Sequence, residues 1–187
     1  MVVVDRCFTS NQELYMQKGF TLIELLIVIG ILAILTAAVV VALNPAQLLA
    51  QARDSQRLSD LDALRSAIAL YAATATTVTF GETLNCTAAG TPSTGSCTTT
   101  TSTVVTGTGW VAVALSDTSG GSPLAALPLD PTNSTTYFYA YDGDNTNKTF
   151  EVDAVLESTK YSGKMTTDGG SSASFYEIGT DPGLDLI

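Results

Sequence analysis

The chain has 187 residues, 45% of them hydrophobic and only 14% charged, with a formal net charge of −10. Eight basic residues against eighteen acidic ones exclude an extended phosphate-tracking groove, so nucleic acid is not an expected partner. Histidine is absent, which excludes Ser-His-Asp and Cys-His nucleophilic sites, leaves zinc without its commonest ligand and argues against an enzyme.

In chain order, the first informative stretch is residues 20–43, a 24-residue run without Lys or Arg, interrupted only by Thr21, Glu24, Gly30 and Thr36. As a helix it measures about 36 Å, enough to cross a hydrocarbon core. The apolar region of a cleaved secretory signal is shorter, about 7–15 residues, and cutting behind this run would discard it. Charge leaves the orientation open: Arg6 and Lys18 precede the run, and Arg53 and Arg57 follow it within the distance that matters.

Glu24 is the anomaly. A carboxylate inside a span costs about 2.5–3.5 kcal/mol on insertion scales and by default marks function. Near the start of the run it could reach the headgroups. Alternatively, cleavage before Phe20 would create an α-ammonium one helical turn away, at the positive end of the helix dipole.

The string Lys18-Gly19-Phe20-Thr21-Leu22-Ile23-Glu24, followed by apolar residues 25–32, resembles the prepilin signature of type IV pilins and type II secretion-type pseudopilins. The resemblance implies that residues 1–19 are a cytoplasmic leader, removed by a membrane aspartic peptidase that cuts between Gly19 and Phe20. The same enzyme would then N-methylate Phe20. It implies that Glu24 pairs with the N-terminus of a neighbouring subunit during assembly. The implied topology is a single pass through the inner membrane with the N-terminus cytoplasmic, followed by an extracellular or periplasmic filament. The implied partners are further copies of the chain, the prepilin peptidase, inner-membrane assembly machinery and, before assembly, the lipid bilayer. Pilus and pseudopilus both remain open.

Asn44-Pro45 ends or kinks the first helical half, because Pro45 cannot donate to the carbonyl of Val41 and disfavours helical dihedrals at Asn44. Pilins similarly carry a helix-breaking Pro in this region, usually a few positions earlier. Over residues 44–73 the apolar pattern becomes one-sided: Leu58, Leu61, Leu64, Ile68 and Tyr71 recur at helical spacing. Arg53, Asp54, Arg57, Asp60, Asp62 and Arg65 largely take the remaining faces, which predicts an amphipathic half-helix packed on its own domain. Residues 20–73 together would form a helix about 80 Å long.

Residues 74–108 contain fifteen Thr and few apolar anchors, so they read as a long loop with at most a marginal strand. With Cys7 in a removed leader, Cys86 and Cys97 form an even pair, and in an exported domain an even pair suggests one disulfide. Asn85, Asn133 and Asn147 match the N-glycosylation pattern, which in so Thr-rich a chain carries no assigned role.

Residues 109–187 complete the domain. Residues 110–115 suit a strand or extended wall. Ser122 and Pro123 suit the N-cap and first position of a short helix. Leu127-Pro128-Leu129-Asp130-Pro131 suits a rigid connector, similar to a Pro-Leu-Asp-Pro element common in pilins. Residues 137–141 and 149–156 read as the strands of a hairpin, and residues 174–178 as a third strand. The expected fold is α+β, a long N-terminal helix packed on a three- or four-stranded antiparallel sheet, as in pilins.

The turn at residues 142–147 accounts for its own Asp, Gly and Asn content. Asp142, Asp144 and Asn147 would also offer oxygen ligands to Ca²⁺, though without the downstream bidentate Glu of an EF-hand. No other cofactor is expected. The leading functional expectation is a structural subunit of a type IV pilus-like filament. The alternative is a membrane-anchored binding module, an adhesin or uptake receptor, on a pilin-like anchor.

Overall fold

The apolar run forms helix α1, Leu22–Leu43, started by Thr21 as N-cap and stopped by Asn44, whose φ of 41° lies in the left-handed region. That conformation ends the hydrogen-bond ladder, and Asn tolerates it better than most non-glycine residues. The next helix, α2, runs Pro45–Thr74. Pro45 at its first position needs no N–H there, so Asn44-Pro45 ends the first helix, one of the two expected outcomes, and the proline starts the second. The expected single helix is thus two helices, of 22 and 30 residues. The computed structural model describes residues 19–92 and 95–187; most of the expected leader, with Arg6, Cys7 and Lys18, lies outside them.

The chain divides into two compact units at the Asn44–Pro45 junction. In the first unit α1 carries its apolar side chains on every face, and none of its Leu22–Val41 stretch is buried. The helix is long and apolar enough to cross a membrane.

The second unit is α2 packed on a five-stranded sheet in the order β2-β1-β3-β4-β5. The strands are β1 (Asn85–Cys86), β2 (Thr98–Thr99), β3 (Tyr139–Asp144), β4 (Thr149–Ala154) and β5 (Tyr176–Gly179). All pairs are antiparallel except β1 with β2. The fold class is therefore α+β as expected, with two more marginal strands than the hairpin and β5 alone would give.

The sheet buries both faces. Tyr139, Tyr141, Phe150, Val152 and Ile178 join Leu61, Leu64, Ile68 and Tyr71 of α2 in the main core. Cys86, Phe138, Ala140, Phe175 and Ile187 form a second core, as period-two alternation along the strands requires. Trp110, Val111, Val113 and Leu115 are buried in the main core as an irregular wall with a single bridge, Thr106 to Ala114, not as a strand. Trp110 donates its indole N–H to the Pro128 carbonyl at 2.9 Å, which fixes the wall to the proline connector.

Two local expectations fail. No helix follows Pro123: residues 121–130 are bends and irregular chain, and the Ser122 hydroxyl donates to Leu124 O (2.6 Å) and accepts Leu124 N–H (3.3 Å) in a local turn. Pro128 and Pro131 leave too few residues for a helix to repay its nucleation cost. The hairpin turn also comes later than expected. Asp142 and Gly143 pair with Glu151 and Phe150, and Asp144 with Thr149, so the turn occupies residues 145–148. Gly143 is required inside β3 because a Cβ there would lie 2.5 Å from the Phe80 carbonyl oxygen.

The charged residues of α2 bring the largest correction. The buried stripe does not begin at Leu58, which is only half-buried; it runs through Ala50, Asp54, Arg57, Leu61, Leu64, Ile68 and Tyr71. Asp54 and Arg57, expected on an outer face, are fully buried. Arg57 donates to Asp130 (2.5 and 3.1 Å), Asp54 (2.8 Å) and Glu157 (2.7 Å). Burial opposes the Arg57 charge, but these carboxylates outweigh it and raise its pKa. Asp54 in turn accepts the backbone N–H groups of Glu157 and Ser158, so one helix face holds both the connector and the segment after β4.

Candidate processing and assembly site

The residues around the expected junction lie at the start of α1. Gly19 and Phe20 precede the helix and are exposed, Phe20 at 92%. A Cβ placed on Gly19 would meet nothing within 4 Å. An exposed, non-helical peptide bond is the kind of site at which a protease can act.

One residue further on, Thr21 and Glu24 form a capping box. The Thr21 hydroxyl accepts the Glu24 N–H at 3.2 Å, and Glu24 Oε2 accepts both the Thr21 N–H and the Thr21 hydroxyl at 2.8 Å. This arrangement satisfies two of the amide groups that a helix start leaves open. It also gives the Glu24 carboxylate local donors and the positive end of the helix dipole, both of which lower its cost in an apolar run. The carboxylate is folded back toward the chain's N-terminal side, beside the residue that follows Phe20. Thr21 was thus the partner missed in the sequence, although Thr-x-x-Glu ahead of an apolar run is a recognised helix-start signal.

The remaining expected site residues lie in the second unit. Cys86 and Cys97 are disulfide-bonded, with S–S at 2.04 Å, and the bridge joins β1 to the residue just before β2. Asp142 and Asp144 both lie within β3, and Asp144 is bonded to Asn147 across the turn that follows it. Asp142 accepts the Gly143 N–H at 2.8 Å. Asp144 accepts the Thr146 and Asn147 N–H groups and the Asn147 side-chain amide, and those hydrogen bonds hold its pKa down. The carboxylate of Asp144 is therefore engaged in building the turn.

Residues 14–40 match the family model of the prokaryotic N-terminal methylation motif. Comparison with curated proteins and with solved structures returns no match. The matched segment contains the Gly19–Phe20 junction, the Thr21–Glu24 box and most of α1, and both it and the exposed apolar helix are consistent with membrane anchoring. The chain carries a type IV pilin-like prepilin N-terminus.

Proposed function

We propose that the chain is the precursor of a structural subunit of a type IV pilus-like filament. Residues 1–19 are a cytoplasmic leader, removed by a prepilin peptidase that cuts between Gly19 and Phe20 and methylates the Phe20 amine. Residues 20–43 hold the subunit in the inner membrane until inner-membrane machinery extracts it, after which α1 is covered by the same helix of neighbouring copies. Residues 44–187 form the displayed domain on the extracellular or periplasmic side. The observation that carries this reading is the methylation motif over residues 14–40, set on a helix with no buried apolar stretch of its own.

The mechanism turns on Glu24. Moving an ammonium at Phe20 from the headgroups into an apolar bundle leaves a buried charge, which costs several kcal/mol unless it is paired. Glu24 of an adjacent copy supplies the opposite charge at the matching depth. Glu24→Gln isolates that charge, because Gln also closes a capping box and leaves the helix start intact. Glu24→Gln and Glu24→Ala should both insert into the membrane and be processed, since removing a carboxylate eases insertion. Neither should yield filaments at native expression. Normal filaments from Glu24→Gln would exclude charge pairing as the assembly step. A wild-type chain that is processed yet absent from sheared filaments would instead be an anchored binding module.

A further inference from the structure

The outer face of the sheet carries a charged cluster unconnected with the N-terminal helix. Glu151 and Asp153 alternate with Phe150 and Val152 along β4, so they point away from the core that Phe150 and Val152 share with α2. Glu177 on β5 is the cross-strand partner of Asp153. Oxygen atoms of the three carboxylates lie within 4.8 Å of one another. All three side chains are buried, covered by the loop before β5 and by the C-terminal residues.

The covering backbone satisfies only part of this cluster. Glu151 Oε2 accepts the Leu186 and Ile187 N–H groups, and Glu177 Oε2 accepts the Ser172 N–H. Glu151 Oε1 and both oxygens of Asp153 are buried and accept no N–H or hydroxyl; the Glu151 and Asp153 carboxyls lie against each other. Among the described residues no Lys or Arg forms an ion pair with the trio. Asp168 adds a further negative group, accepting the Glu177 N–H at 2.9 Å. Arg65, Lys164 and Asp181 lie outside the cluster, in the lining of adjacent open pockets that Glu177 also borders. Gly170 packs so closely that a Cβ would lie 2.1 Å from Glu177 Oε2. Burial, then the mutual repulsion of the acids, pushes the Asp153 carboxyl well above its ordinary range. Three acidic groups shut away from water must be neutralised, by protons or by a cation.

We propose that Glu151, Asp153 and Glu177 bind one divalent hard cation, Ca²⁺, which ties β4 and β5 to the C-terminal segment. An all-oxygen, all-carboxylate donor set suits a hard ion and not zinc. A buried site built from protein carboxylates favours Ca²⁺, because Mg²⁺ dehydrates reluctantly and is seldom held in an all-protein cage. Oxygens within 4.8 Å of one another can share one ion at calcium–oxygen distances of about 2.3–2.6 Å. An open pocket of about 230 Å³ reaches Glu177 at the edge of the cluster. The site is separate from Asp142, Asp144 and Asn147 at the hairpin.

The test uses the full processed chain in detergent, stripped with EDTA and titrated calorimetrically with CaCl₂ or MgCl₂ at neutral pH. One Ca²⁺ should bind per chain, with weaker Mg²⁺ binding. Saturating Ca²⁺ should raise the melting temperature by several degrees relative to EDTA, as expected for a ligand of the native state. Asp153→Asn should weaken Ca²⁺ binding by at least about tenfold, as loss of one charged ligand implies. Its melting temperature in EDTA should not fall below that of the wild type, because a neutral amide replaces a carboxyl whose charge burial opposes. Glu177→Gln serves as the second variant if Asp153→Asn fails to fold. No binding at millimolar Ca²⁺, with equal melting in calcium and EDTA, would show that protons alone neutralise the trio and would overturn the proposal. Unchanged affinity in a folded Asp153→Asn or Glu177→Gln chain would place the ion elsewhere and would overturn it equally.

Discussion

Arg57 shows how a single residue can organise the second unit. It is fully buried, and three carboxylates from three parts of the chain converge on it. Arg57→Ala would leave those acids around an empty site, and breaking a buried ion pair costs about 3–5 kcal/mol. Urea unfolding should show a loss of that order. Asp130→Asn should cost less, because an amide oxygen can still accept the Thr132 and Asn133 N–H groups that Asp130 Oδ1 now accepts.

The acidic residues also give stability a pH dependence with two arms. Bonds from Arg53, and then from Arg57, hold Glu157 below its ordinary value of 4.5. Its contribution is present above the unfolded value and is lost as pH falls through the lower folded value. Burial pushes Glu151 up from 4.5 to about 7, so the folded state holds a proton that the unfolded state releases, and stability declines as pH rises between those values. In EDTA the melting temperature should therefore fall as pH is raised from 4.5 to about 7, and fall again under stronger acid. A steady rise across that neutral arm would contradict the burial of the trio.

At the scale of elements, the Cys86–Cys97 bridge closes a loop with a sequence separation of 11 between two strands of two residues each. Strands so short contribute little alone. Closing a loop of this size is worth about 3 kcal/mol in the chain-entropy model. Reduction, or Cys86→Ser with Cys97→Ser, should lower stability by that order. Alkylation without reductant should label no thiol in a chain that begins at Phe20, and two labelled thiols would contradict the pairing.

What could be read from the sequence followed from periodicity. The apolar run, the α2 stripe from Leu61 to Tyr71 and the β3–β4 pair all announced themselves by spacing. The ionic stretch of α2 did not, because Arg57 looks like a solvent-facing residue until Asp130 and Glu157, 73 and 100 positions away, are brought to it. The acidic trio was hidden for a similar reason. Alternation along Phe150-Glu151-Val152-Asp153 suggests one wet face, and only the fold shows that the C-terminal segment and the loop before β5 cover it. At the junction, the spacing of Glu24 from Phe20 was visible, but the local bonds of Thr21 to Glu24 were not part of that reading.

At the scale of the whole molecule, the two units differ in where their apolar side chains lie. The second unit buries its apolar side chains in two cores, whereas α1 exposes Leu25, Ile27, Ile29, Ile31 and Leu35 by half or more. So large an apolar surface requires a lipid or protein environment, and the proposed processing and polymerisation would take it from the first to the second. The central claim is that the mature chain begins at Phe20 within a filament. Its most direct test is mass spectrometry of the intact chain recovered from sheared surface or periplasmic filaments. The expected result is a filament made mainly of this chain, starting at Phe20 with one added methyl group on its amine. A filament-free shear fraction, or a chain starting at Met1 or anywhere beyond Leu43, would contradict it.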